Sequence, residues 1–141
     1  MVKKRISVSG ICCLLLSILP LAGCAAGQGT AWREYKVFCG LSSPKGDVSE
    51  DAWQQFCDKY VSAAFPDGYT VLDAAGYWRS SPGVTAKERA RVILVIAPAD
   101  AREKVLSVAR RFQKDFDQGA VLISISDADM DVVRKEDTNG K

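Results

Sequence analysis

Two kinds of hydrophobic pattern alternate along this chain, and their order restricts the fold more than any other feature. Four segments show the alternating or continuous apolar pattern of strands, and two show apolar residues at helical spacing. The predicted strands are residues 35–41, 69–79, 91–97 and 120–126, with one helix after the first strand and one before the last. The order β-α-β-β-α-β predicts a ferredoxin-like α+β domain, a four-stranded antiparallel sheet with two helices on one face.

Residue types at the ends of both helical segments predict where the helices begin and end. Ser49 is a good N-cap for the first helix. Asp100 and Glu103 have the spacing of a capping box for the second, and Gly119 stands just past its end. The apolar stripes that we assign to the core are Trp53, Phe56, Cys57, Tyr60, Val61 and Ala64 on the first helix, and Ala101, Val105, Val108, Ala109, Phe112 and Phe116 on the second.

The second face of the predicted sheet has no helix to cover it. Yet residues 92–96 of the third strand are apolar on both faces, and Phe38 and Leu122 point away from the predicted core. A sheet face in water should be more polar than this. A second copy of the chain, a ligand, another protein or the tail after Ser126 would cover it, and a homodimer is the first choice because symmetric dimers are the commonest assembly. The alternative is a few ordinary exposed apolar side chains.

The start of the chain has the features of an export signal. Basic residues at positions 3–5 precede a largely apolar run, residues 6–22, and Leu21-Ala22-Gly23 precede Cys24. A cysteine after Leu-Ala-Gly resembles the lipobox of bacterial lipoproteins, which implies cleavage before Cys24 and lipid on its sulfur and amine. An uncleaved membrane anchor is one alternative, although a span needs about 20 mostly apolar residues and this run contains Pro20. Ordinary signal cleavage is the other.

This interpretation divides the chain into four parts. They are the signal peptide (1–23), the lipidated cysteine with a tether (24–34), a single α+β domain (35–127) and a polar acidic tail (128–141). The predicted location is the cell envelope, with the domain anchored to a membrane and facing the periplasm or the exterior. The absence of Asp after Cys24 favours an outer membrane where the cell has one.

Charge and composition exclude several classes of function. Three of the 19 basic residues lie in the signal, so the mature chain carries 16 basic against 17 acidic residues and lacks the basic stripe of a nucleic-acid-binding protein. The chain contains no histidine, which excludes Ser-His-Asp triads, Cys-His pairs and histidine metal ligands. It has no Gly-rich phosphate loop and no CxxC motif, and no cofactor is predicted.

An acidic segment near the end of the chain resembles a calcium loop only at its start. Asp127, Asp129 and Asp131 alternate correctly, but Val132 and Thr138 stand where the loop requires glycine and glutamate. We therefore predict no metal site here. A solvated acidic edge that discourages strand pairing is the better interpretation.

The best candidate for a ligand or partner patch lies on the predicted hairpin. Its residues are Asp73, Tyr77, Trp78, Arg79, Glu88 and Arg89. Aromatic rings beside guanidinium groups suit anionic or aromatic ligands and protein partners. The alternative is structural, with Trp78 packed in the sheet and the arginines paired with Glu88 or solvent.

Cys39 and Cys57 are the two cysteines of the predicted domain. Both fall on core faces, one in the first strand and one in the first helix. An exported protein allows a disulfide between them, whereas two buried free thiols are the alternative that the strand-to-helix distance favours.

Three stretches together suggest a family: residues 35–42, the run from Phe65 to Asp73, and the hairpin Gly76-Tyr77-Trp78-Arg79 that leads to Glu88. They resemble an uncharacterised family of small bacterial secreted proteins and lipoproteins, a domain of unknown function, over residues 33–126. The resemblance implies an envelope location and one small α+β domain, and it brings no activity, substrate or catalytic residue. That family commonly has an aromatic or apolar residue at the position of Cys39, so it lends no support to a Cys39–Cys57 bridge.

Three functions are consistent with these observations. The leading hypothesis is a lipid-anchored, non-enzymatic envelope protein whose sheet face or hairpin binds a partner or its own copy. The first alternative is a small-molecule-binding protein or enzyme of the ferredoxin-like dimeric type, with Asp73 or Tyr77 moving a proton and Arg79 holding an anion. The second is a structural subunit of an envelope complex.

Overall fold

The computed structural model describes residues 31–135, and within them the order of elements is the predicted one. The elements are β1 (Trp32–Gly40), α1 (Glu50–Phe56), a π-helical turn (Cys57–Val61), α2 (Ser62–Ala64), β2 (Thr70–Ser81), β3 (Val84–Pro98), a 3₁₀ turn (Ala99–Ala101), α3 (Arg102–Asp115) and β4 (Leu122–Ala128). The strands form one sheet in the order β2-β3-β1-β4, with every neighbouring pair antiparallel. The predicted ferredoxin-like α+β fold is confirmed.

The core lies between the sheet and the helices. Alternate residues of the central strands point towards the helices, as the period of two in their sequences predicts. These strand residues, Tyr35, Val37, Cys39, Ile93 and Val95, are almost fully buried. From the helical layer they meet Trp53, Phe56, Cys57, Val61, Val105, Val108, Ala109 and Phe112. Both predicted stripes therefore face the sheet.

Phe112 occupies the centre of an aromatic cluster that joins the two helical segments. Its ring centroid lies 5.9 Å from that of Trp53, 5.3 Å from that of Phe56 and 4.8 Å from that of Phe116. The side chain is fully buried. Edge-on and tilted contacts of this kind add to the area that the rings bury.

The helix ends agree with the sequence at one place and differ at two. Ser49 caps α1, since its Oγ accepts a hydrogen bond from the Ala52 N–H at 3.2 Å. The capping box at Asp100 was a wrong prediction, because a 3₁₀ turn enters α3 there and no side chain caps the helix.

The predicted end of the second helix was wrong by two residues. Asp117, with φ 53°, takes the left-handed position expected of Gly119, and the Gln118 N–H donates to the Gln113 carbonyl at 2.9 Å. The helix therefore ends earlier than the position of the glycine indicates.

The hairpin β2–β3 is longer than predicted. Its strands have 12 and 15 residues, whereas β1 has 9 and pairs with β3 only from Ala90 to Pro98. Beyond this point residues 75–81 and 84–89 form a two-stranded ribbon, which we call the arm. The predicted third strand began at residue 91 because residues 84–90 are mostly polar or small and show no apolar run.

Candidate functional site

The sheet face opposite the helices, which we call the open face, is largely apolar at its centre. The pairing register places Phe38 beside Val92 and Leu122, and Leu72 beside Val92. Leu72 and Leu122 are about half exposed, at 45% and 52%. The apolar residues of this face are Trp32, Phe38, Leu72, Ala74, Trp78, Ala86, Ala90, Val92, Leu94, Ile96, Pro98, Leu122 and Ala128. The sequence prediction that Phe38 and Leu122 lie away from the core is confirmed.

Polar residues lie along one margin of the open face. Lys36 and Glu34 form an ion pair on β1, and Ser124 and Ser126 stand beside them on β4. The face therefore combines an apolar centre with one side of mixed charge.

Two glycines allow bulky side chains to lie flat on the open face near the arm. A Cβ on Gly76 would stand 2.9 Å from Trp78 Nε1, and a Cβ on Gly40 would stand 2.9 Å from Glu88 Oε1. The indole of Trp78 and the carboxylate of Glu88 thus occupy the space that side chains at these positions would fill. This explains the glycine in the middle of β2.

The structure divides the predicted hairpin patch between the two faces of the ribbon. Asp73, Tyr77 and Arg79 share the helix-side face with Arg89, because the β2–β3 register runs unbroken from Thr70 to Arg79. Trp78 and Glu88 lie on the open face. The six residues therefore do not form one site.

Asp73, Tyr77 and Arg79 are also too far apart to act together on one small substrate. Neighbouring same-face residues of a strand are about 7 Å apart, so Asp73 and Arg79 are separated by about 20 Å. Tyr77 is 64% exposed, and its ring lies 5.8 Å from the Lys87 Nζ. This spacing weighs against the acid–base and anion-holding roles considered for these three residues.

Arg91, which is not one of the six residues of the predicted patch, is the centre of the best-organised charged cluster. Its guanidinium donates two hydrogen bonds to the Glu50 carboxylate, at 3.0 and 2.8 Å, and one to Asp73 at 3.0 Å. The guanidinium carbon also lies 5.1 Å from the Trp53 ring centroid. The hydrogen bonds from Arg91 lower the pKa of Glu50, and those bonds raise the pKa of Arg91.

This cluster joins the first turn of α1 to the β2–β3 hairpin. The Arg91 side chain is largely buried, while both carboxylates are exposed. A depression of about 240 Å³ beside it is lined by Gln54, Cys57, Tyr69 and Val71 as well as by the cluster. The Nε, Nη1 and Nη2 atoms of Arg91 already donate hydrogen bonds, and both carboxylates accept them. We therefore assign the cluster a structural role.

Cys39 and Cys57 are buried free thiols in the structure. Burial raises the pKa of Cys39, with a smaller contribution from the neighbouring Cys57. Burial also raises the pKa of Cys57. Both sulfurs are therefore protonated at neutral pH, which makes them poor nucleophiles.

The helical layer has a groove of about 490 Å³ that the sequence analysis missed. It is lined by Lys59, Tyr60, Ala63, Ala64, Lys104, Ser107, Val108 and Arg111. Arg111 lies 4.5 Å from the Tyr60 ring centroid and donates a hydrogen bond to Asp115 at 2.7 Å. Asp115 offsets one of the three positive charges around this groove.

The predicted lipidation site Cys24 and the predicted signal peptide lie outside the described residues. Among residues 31–135, no three His, Cys, Asp or Glu side chains come together as metal ligands would, and no helix has the length and apolarity needed to cross a membrane.

The architecture defines the class of this protein as a ferredoxin-like α+β domain with an uncovered apolar sheet face. Residues 34–131 match the family described as "Protein of unknown function (DUF3574)". The chain belongs to this family. No curated protein matches its sequence significantly.

Solved structures with the same fold are distant in sequence. A phage SAM lyase in complex with S-methyl-5'-thioadenosine is 17% identical, with a TM-score of 0.55 over 70% of this chain and 83% of that one. The apo form of the phage SAM lyase is also 17% identical, with a TM-score of 0.53 over 70% of this chain and 82% of that one. CutA from Synechococcus elongatus PCC7942, complexed with Bis-Tris, is 11% identical, with a TM-score of 0.47 over 71% of this chain and 82% of that one. At 17% identity the lyase structures show a shared fold alone.

Proposed function

We propose that this protein is a lipid-anchored interaction module of the bacterial cell envelope, and that its open face binds a second copy of the chain. The observation that carries the proposal is the apolar centre of that face. Leu72, Trp78, Ile96 and Leu122 are each at least 41% exposed, on one side of one sheet. Several large exposed apolar side chains on one face are typical of interaction sites.

The charges at the margin of the face support a second copy as the occupant. Glu34 and Lys36 stand two residues apart on β1, both on the open side. In a two-fold contact the same patch meets itself, so Glu34 of one protomer can be placed against Lys36 of the other. The apolar centre and this mixed-charge margin together make the face self-complementary.

The lipid anchor rests on the sequence around Cys24. Residues 24–31 link this cysteine to the start of β1 and span at most about 25–29 Å when extended. An anchored domain so close to a bilayer would be concentrated in two dimensions with its own copies. Anchoring would therefore favour weak self-association.

A charge placed among the apolar residues of the open face tests self-association through that face. Leu72→Asp should lower the mass of the associated protein, because the carboxylate would lose water in the contact without gaining a partner. Val133→Asp is the matched control, since Val133 is 80% exposed and lies beyond β4. Light scattering on detergent-extracted full-length protein gives the mass, and equal masses for the wild type and Leu72→Asp would contradict the proposal.

The anchor has its own test. Mass spectrometry of the mature chain should show Cys24 at its N-terminus with added lipid mass, and Cys24→Ser should remove that mass and release the domain from membranes. A mature chain beginning elsewhere, or one lacking lipid, would contradict anchoring and leave the open-face contact to be judged separately.

A further inference from the structure

The arm carries an unpaired strand edge in addition to its exposed side chains. In β3, residues 84–89 pair with β2, but pairing with β1 starts only at Ala90. The last contact on that side is the Leu41 N–H donating to the Arg89 carbonyl at 2.8 Å. In an antiparallel ladder every second residue directs both backbone groups to the same side. Lys87 and Thr85 therefore direct their N–H and C=O groups to an edge that no other described strand covers.

The outer edge of β4 is also unpaired. Strand β4 is terminal in the order β2-β3-β1-β4 and pairs with β1 alone. Exposed edges are templates for pairing with another chain. Within one protomer the free edge of β4 and the free edge of β3 in the arm cannot pair, because both face in the same direction across the strands.

The two edges have opposite charge on the same face of the sheet. On the helix-side face, the arm presents Arg79, Lys87 and Arg89, none of which has an ion pair among residues 31–135. At the end of β4, Asp127 also lies on the helix-side face; it is 90% exposed and forms an ion pair with Arg33 at 3.6 Å. Asp129 follows it and is exposed.

A strand added beside β4 with the open sides aligned would bring the arm's cations to the face of Asp127, because Lys87, Arg89 and Asp127 all lie on the helix-side face.

From this complementarity we propose that the arm of one protomer adds to the β4 edge of a second copy, with Lys87 and Arg89 facing the acidic segment at Asp127 and Asp129. The arm is the donor and β4 the acceptor, so the contact joins two different surfaces. It is separate from the face-to-face contact proposed above and does not depend on it.

Charge reversal with rescue tests the proposal on the full-length chain. Two copies with different affinity tags are co-expressed, extracted in detergent, and purified through one tag while the other is measured. Both copies carry Leu72→Asp, which removes the open-face contact. In this background, K87E/R89E in both copies should lower co-purification at least fivefold, and D127K/D129K in both copies should do the same. Pairing one variant with the other should restore it, because each edge again meets an opposite charge.

R110E/K114E is the matched control, since it reverses two exposed basic residues of α3 away from the arm. It should leave co-purification unchanged. The neutral variant K87Q/R89Q guards against misfolding and should give an intermediate loss. Unchanged co-purification in K87E/R89E, or no recovery in the mixed pair, would overturn the proposal. If Leu72→Asp alone abolished association, the open-face contact would stand without the arm.

Discussion

Phe112 is the residue at which the helical layer is most sensitive to change. It is fully buried and contacts Trp53, Phe56 and Phe116. Phe112→Ala should lower the free energy of unfolding by about 3–5 kcal/mol, because it removes a large apolar group and leaves a cavity. Urea denaturation measures this. Lys114→Ala, an exposed change on the same helix, is the control, and equal midpoints for Phe112→Ala and wild type would remove Phe112 from the core.

The two cysteines should react slowly in the folded protein. Burial raises the pKa of Cys39 and of Cys57, so at pH 8 each holds less thiolate than an exposed cysteine would. Iodoacetamide should therefore modify both only after urea is added, as mass spectrometry of digested peptides would show. Modification of the native protein at the rate of the unfolded chain would contradict their burial.

For single residues, the sequence predicted which side chains face the core, but it did not predict the partners of the charged groups. Tyr35, Val37 and Cys39 follow the strand period, and that period alone places them. The partners of Arg91 come from α1 and β2, so only the folded arrangement brings Glu50 and Asp73 to it. The sequence therefore marked Asp73 as a candidate without showing that Arg91 engages it.

Among the elements, α1 is held to the hairpin by the bond between Glu50 and Arg91. This bond lowers the pKa of Glu50 below its ordinary value of 4.5. A carboxylate whose pKa is lowered by folding stabilises the folded state at pH values above its ordinary pKa. That contribution is lost as the pH falls through the lowered pKa. Glu50→Gln should thus lower the urea midpoint at pH 7. Its difference from wild type should shrink as the pH falls below 4.5 and vanish once the pH is below the lowered pKa.

Asp51→Asn is the matched control for this experiment. Asp51 lies in the same first turn of α1, near the same helix end, and makes no ion pair with Arg91. It should show a smaller pH-dependent difference. Equal profiles for the two variants would assign the effect to the helix end and contradict the role of Arg91.

Two elements could not be predicted from local patterns. The arm lacks an apolar period because neither the helices nor β1 cover it, so residues 84–90 carry no sign of a strand. The π-helical turn at Cys57–Val61 inserts extra residues into a helix whose apolar spacing looks regular. Both depend on packing beyond the segment itself.

The topology of the whole molecule was predictable because two amphipathic helices and four strands in this order have few ways to bury their apolar faces. The open face followed from the same pattern, since β3 is apolar on both sides. The charge complementarity between the arm and β4 depends on strand order and register. These place Arg89 and Asp127 on one face and beside two different unpaired strand edges, and no local motif shows that.

Native mass spectrometry of the full-length protein, released gently from detergent, tests the account most directly. We expect two or more copies of the chain held together without a bound small molecule, because both proposed contacts, through the open face and through the arm, join copies of the chain. A bare monomer at every concentration would contradict self-association, and a monomer carrying a tightly held small molecule would show that a ligand covers the open face instead.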